Sequence, residues 1–159
     1  MSYGCMFILR GTRDIEALRT KLICTAQTKG YGLWFEPVNN LLLEHCVDLN
    51  LGDYVFEVCD SFSGSDASFL LSHEGDIING MQATLPLLQR LHILQNVALT
   101  CVLHAEVIEI YLGEDSPYLP DYSDYRIACT DIADVLYKRY QNQDPIDCYV
   151  PCVHLIIEK

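Results

Sequence analysis

His73-Glu74-Gly75-Asp76 brings one imidazole and two carboxylates into four consecutive positions. A general acid–base pair or a cation site is built from such groups. The spacing is not HExxH, so a zinc protease is not indicated. Asp76 also suits the cap of a following helix, with His73 and Glu74 in solvated loop. Cys101-Val102-Leu103-His104 has a zinc-like interval, but on an extended strand residues three apart face opposite sides. Cys152 and His154 would share a strand face, as one pair of ligands does. A structural zinc needs a second pair, and neither CxxC nor HxxxH occurs in the chain. His45 and Cys46 are adjacent, so on a strand they point apart and make a poor base–thiol dyad. No GxSxG, GxGxxG or GxxxxGK[ST] is present. No catalytic residue, metal or cofactor is therefore assigned, and an enzyme would have to use a site that no motif marks.

A different kind of chemistry is concentrated in EDSPYLPDYSDY, residues 114–125. Glu114, Asp115, Asp121 and Asp124 supply charge, and Tyr118, Tyr122 and Tyr125 supply rigid amphipathic rings. Tyrosine gives contact area at small entropic cost, plus a hydroxyl. Carboxylates steer toward basic surfaces and accept bidentate arginine. Pro117 and Pro120 lower the cost of ordering such a segment. The combination reads as a partner-binding loop, or as a solvated connection whose rings lie on their own protein.

Charge is distributed unevenly along the 159 residues, with a formal net charge of −12. Residues 1–29 carry five bases against two acids, whereas Gly30 to Gln89 contains nine acids and no Lys or Arg. Such a surface repels phosphate backbones and anionic membranes and favours a basic partner. The opening MSYGCMFILRGTRD has no basic n-region ahead of its short apolar run, so no signal peptide is expected. No run reaches the length of a membrane-spanning helix. The eight cysteines lie mostly in apolar runs and read as reduced, largely buried thiols of a cytoplasmic protein. Cys148 and Cys152, four apart on an expected strand, would stand about 13 Å from each other, beyond the roughly 7 Å a disulfide allows.

Residues 1–159 are expected to form one domain that positions these groups. YGCMFILR reads as a strand, followed by a helix opened by Thr12 and carrying Ile15, Leu18, Leu22 and Ala26 inward. YGLWFEPV is a strand; LLLEHCVDL and DYVFEVCDSF read as a hairpin across Asn50-Leu51-Gly52. SFSGSDASFLLSHEGD is loop, a short turn of helix precedes Thr84, and Pro86 opens a helix through Leu87, Leu88, Leu91 and Leu94. LTCVLHAEVIEIYLG is the longest strand signal, long enough to require a bulge or bend. Thr130-Asp131 caps a helix carrying Ile132, Val135, Leu136 and Tyr140. CYVPCVHLIIE is a final strand whose Pro151 suggests an edge or bulge. The expected fold class is α+β: a mixed, mostly antiparallel sheet of about six strands with three main helices packed on it.

The functional expectation is an acidic, non-enzymatic binding protein that docks a basic protein, as an inhibitor or immunity protein covers a toxin nuclease. Direct nucleic-acid or membrane binding is not expected. The alternatives are a small enzyme or metal-binding protein using His73, Glu74 and Asp76, and a subunit that pairs through the edge of its C-terminal strand.

Overall fold

The computed structural model describes residues 3–29, 31–36, 49–50, 52–60, 77–78, 81–82, 86–114, 123–141 and 153–158. The apolar run of the first strand, β1 (Tyr3–Arg10), is explained by burial on both faces. Cys5, Phe7 and Leu9 enter the main core, while Met6 and Ile8 pack with Leu49 and Val55 on the opposite side. Helix α1 (Ile15–Lys29) buries Leu18, Leu22 and Ala26, the stripe its sequence spacing requires.

Strands β2 (Tyr31–Glu36) and β3 (Tyr54–Asp60) complete the first half of the sheet. A two-stranded ladder, β4 (Ile77–Ile78) with β5 (Met81–Gln82), precedes α2 (Leu87–Cys101). Then come β6 (Val107–Glu114), β7 (Ser123–Ala128), a 3-10 turn (Cys129–Asp131), α3 (Ile132–Tyr140) and β8 (Val153–Glu158). The six-stranded sheet runs β2-β3-β1-β6-β8-β7, and only the β7–β8 pair is parallel. Parallel neighbours need a crossover, which α3 supplies between β7 and β8. The β1-α1-β2 and β3-α2-β6 units interlock in the split βαβ order. The result is a single α+β fold with a mostly antiparallel mixed sheet.

The helices cover one face. Strand residues Phe56, Val58, Ile108, Ile110, Leu112, Val153, Leu155 and Ile157 join Leu91, Leu94, Ala98, Leu136 and Tyr140 in one buried cluster. Full burial of each large aliphatic side chain contributes about 1.5–3 kcal/mol. Gln95 on α2 accepts the Ala133 backbone N–H at 2.9 Å, so a side chain of one helix satisfies the first turn of the next.

Several local expectations are corrected. Leu99, Thr100 and Cys101 finish α2, residues 102–104 turn, and the strand begins only at Val107. The helical stripe Leu87, Leu91, Leu94, Ala98, Cys101 continues through that stretch, and burial against the sheet decides for helix. Ile77–Ile78 and Met81–Gln82 pair antiparallel rather than forming a helical turn; the dipeptide between them is Asn79-Gly80, a strong hairpin signal. Residues 54–57 of β3 are paired with β1 on one side, and residues 55–57 also with β2 on the other. The other arm of the expected hairpin, residues 41–48, lies outside the described residues. Residues 123–125, the end of the segment 114–125 expected as loop, instead open a strand that runs Ser123–Ala128. The C-terminal strand is interior: β8 is bonded to β6 and β7 at once, so it offers no edge to another chain.

The start of α1 also differs. Thr12 is not its cap; Asp14, with φ of 53°, stands just ahead of Ile15 and accepts the Leu18 N–H. Gly11, with φ of 61°, bends the chain away from β1. Arg13 N–H then donates to His104 O and Glu106 N–H to Arg10 O, both at 2.9 Å. His104 Nδ1 lies 3.1 Å from Arg13 O. This turn holds the end of β1, and therefore Arg10, in place.

Candidate functional site

Beside the small apolar cluster of Met6, Ile8, Leu49 and Val55, the face of the sheet opposite the helices carries charged residues of β1, β6, β7 and β8, because side chains alternate along a strand. Its rows follow from the register. Tyr111 of β6, His154 of β8 and Asp124 of β7 are directly opposite one another, and Glu109 is opposite Ile156, which is opposite Arg126. Arg10 of β1 sits opposite Val107, one diagonal step from Glu109. Long side chains bridge such diagonals.

These placements assemble a chain of ion pairs. Arg10 donates to Asp53 through one guanidinium nitrogen and to Glu109 through Nε, each at 2.6 Å. Glu109 Oε1 lies 3.0 Å from His154 Nε2, and His154 Nδ1 lies 3.0 Å from Asp124 Oδ1. Tyr111 stacks on the imidazole, with centroids 4.1 Å apart and planes inclined by 9°, a geometry that favours a positively charged ring. Asp53 is itself fixed: its carboxylate accepts the Asn50 N–H at 2.8 Å and its N–H donates to Asn50 O at 3.0 Å.

Burial separates the members. The His154 and Glu109 side chains are only 12% and 13% exposed, while that of Asp124 is 69% exposed. Hydrogen bonding to His154 holds the Glu109 carboxyl below its ordinary value; burial opposes this, and Arg10 reinforces it. Burial alone would lower the His154 imidazole, but the bonds and charges of Glu109 and Asp124 outweigh it and raise it. Arg10 is likewise raised, its partners overcoming burial. A groove of about 530 Å³, lined by Arg10, Asn50, Val107, Glu109, Arg126 and Ile156, opens beside the cluster and admits water to it.

When protonated, His154 donates to a carboxylate from each ring nitrogen and has no lone pair to offer as base or ligand. In that state the cluster stores and orients charge. Among the described residues no group of three His, Cys, Asp or Glu side chains is arranged to hold a metal.

Of the seven residues expected at a partner surface, Asp124 and Tyr125 are fully described, and they project to opposite faces. Asp124 belongs to the charged cluster. Tyr125 packs toward the helices, its hydroxyl accepting from Arg139 at 2.9 Å with the guanidinium carbon 5.8 Å from the ring centroid. Glu114 closes β6, its backbone opposite Tyr3. Asp115, Tyr118, Asp121 and Tyr122 lie outside the described residues, as do His73, Glu74, Asp76, His45, Cys46, Cys148, Pro151 and Cys152. Cys101 and His104 are both buried, the first at the end of α2 and the second in the following turn, rather than on a strand. Cys101 and Cys129 are buried free thiols, Cys24 is an exposed one, and Cys5 is buried in the core.

The His154 cluster is what the sequence reading missed. The sequence alone pairs His154 only with Cys152, on one face of the expected strand. The available signal was VHLIIE itself, where His154 and Ile156 alternate with Val153, Leu155 and Ile157. No helix among the described residues is long and apolar enough to cross a membrane. Comparison with family models, with curated proteins and with solved structures gives no match for this chain.

Proposed function

We propose that the protein is a non-enzymatic, cytoplasmic binding protein that docks a basic protein through an acidic surface. An inhibitor or immunity protein covering the positive active site of a toxin nuclease is the model for such a pairing. The observation that carries the reading is the charge map: nine acids and no Lys or Arg between Gly30 and Gln89, within a net charge of −12. An acidic surface is opposite in sign to the positive site of a nuclease, which speeds encounter.

Two structural features support it. The acidic tyrosine segment 114–125 ends on β7, one of the two edge strands of the sheet among the described residues. There Asp124 presents a largely exposed carboxylate, with one oxygen engaged by His154 and the carboxyl group accessible to a partner. Docking would involve Glu114, Asp115, Tyr118, Asp121, Tyr122 and Asp124, with Tyr125 anchoring the end of the segment from the helix side. The free thiols of Cys24, Cys101 and Cys129 fit a reducing compartment.

Affinity isolation from the native host, run in parallel with wild-type protein and an Asp121→Lys/Asp124→Lys variant, tests this. The reading expects one basic protein retained by the wild type and depleted with the variant at low salt. Equal recovery on both, or recovery of acidic proteins only, would refute it.

A further inference from the structure

The edge strand that ends the acidic segment is tied to the rest of the sheet by a titratable group. His154 on β8 stands between Glu109 of β6 and Asp124 of β7, with Nε2 and Nδ1 each 3.0 Å from a carboxylate oxygen. Only the imidazolium can donate at both positions; a neutral ring keeps one N–H. The two bonds are unequal in their surroundings. Glu109 is 13% exposed and depends on protein donors, whereas Asp124 is 69% exposed and exchanges its bond for water at little cost. The remaining proton therefore belongs on Nε2, facing Glu109. The lone pair then falls on Nδ1, facing Asp124 Oδ1, and the contact turns repulsive.

We propose that His154 is a protonation-controlled clamp on β7: protonated, it holds Asp124 against the sheet, and on losing its proton it releases the Asp124 carboxylate to solvent and to a basic partner. The functional half of this inference rests on the docking role proposed above. Release makes the edge more negative by one charge and frees an oxygen for bidentate arginine, so docking strengthens as pH rises through the clamp's midpoint.

The groups that act on His154 come from each neighbouring strand. Glu109 and the Tyr111 ring face it from β6, and Asp124 and, diagonally, Arg126 from β7. Arg10 of β1 stands behind Glu109, with Asp53 behind Arg10, and Glu57 of β3 lies further along the same row, beyond Met6. Glu158 is the acid on β8 itself. The cations stabilise Glu109 as an anion, and both carboxylates hold the proton on His154. The direction of its displacement, above the ordinary 6.5, agrees with this balance.

The test is a nuclear magnetic resonance titration of the full chain between about pH 5 and 9, the span over which histidine changes charge. It follows the His154 ring nitrogens together with the Asp124 carboxylate and the Asp124 and Tyr125 amides. The expected result is a His154 midpoint above that of an unperturbed histidine, with an Nε2–H tautomer at high pH. Asp124 and Tyr125 should move with the same midpoint, and Asp124→Asn should shift the His154 midpoint down. A His154 midpoint at or below the unperturbed value, an Nδ1–H tautomer, or Asp124 signals that stay flat would overturn the clamp. No partner takes part, so failure here is separable from failure of the docking proposal.

Discussion

Replacing Glu109 by Gln tests whether the ion-pair chain organises the helix-free face. Gln keeps the shape and one acceptor, but its amide N–H₂ must face either Arg10 Nε or His154 Nε2, both of which are donors in the native arrangement. One charge-assisted bond is lost outright and a second is weakened. Hydrogen bonds to charged groups contribute about 1.5–3 kcal/mol each; partial access of water through the groove places the expected cost near the lower end, about 2 kcal/mol. For a chain of this length that corresponds to a melting-temperature fall of roughly 4–8 °C. The pH profile adds a sign that general damage would not have. The Glu109 carboxyl is lowered, so its contribution is complete above the ordinary 4.5 and disappears as pH falls through its folded value. The His154 imidazole is raised, so its contribution is complete below the ordinary 6.5 and disappears as pH rises through its folded value. The stability difference between wild type and Glu109→Gln should therefore be largest between those two ordinary values and shrink on either side. Urea denaturation across pH measures it. A difference below about 0.5 kcal/mol, the scatter of ordinary surface changes, or one independent of pH would refute the reasoning.

Gly11→Ala is expected to destabilise the fold by about 1–2 kcal/mol, because φ is 61° there and an added Cβ would stand 2.7 Å from the Glu106 side chain; a thermal melt checks it, and an unchanged melt would show that the turn holding Arg10 is adjustable. Thiol titration without reductant should find Cys24 reactive and Cys5, Cys101 and Cys129 protected, with burial raising Cys129 to about 11; denaturation should raise the total toward eight, and a persistently lower total would mean oxidation or a bound metal. Tyr125→Phe should cost about 1 kcal/mol of stability by leaving Arg139 without its hydroxyl acceptor. Tyr122→Ala should leave the melt unchanged and cost about 2 kcal/mol of partner binding, roughly thirtyfold by calorimetry.

Local pattern carried much of this fold. The apolar run of β1 and the Leu18, Leu22, Ala26 stripe of α1 are readable because one face, or both, must be buried. Residues 99–103 were ambiguous for a physical reason: Leu99, Cys101 and Leu103 alternate as a strand does, while Leu94, Ala98 and Cys101 repeat as a helix does. Packing of α2 against the sheet chose the second pattern, leaving Leu103 75% exposed in the turn. Strand β7 was concealed by its charges, since Asp124 and Arg126 point outward and only Tyr125 and Ile127 pack inward. The charged cluster depends on register alone. Arg10 and Glu109 are 99 positions apart and His154 and Glu109 are 45 apart, so no local spacing signals their contact.

The proposed electrostatic docking of a basic protein is tested by the association rate of the isolated partner as a function of ionic strength, measured by stopped flow for wild type and Asp121→Lys/Asp124→Lys. Exposed charges are screened beyond about 10 Å at 0.1 M salt. The wild-type on-rate is expected to fall steeply as salt rises, and the variant to associate more slowly at low salt with a flatter dependence, while dissociation changes less. A wild-type on-rate that stays constant across ionic strength, with the variant indistinguishable from it, would contradict the account.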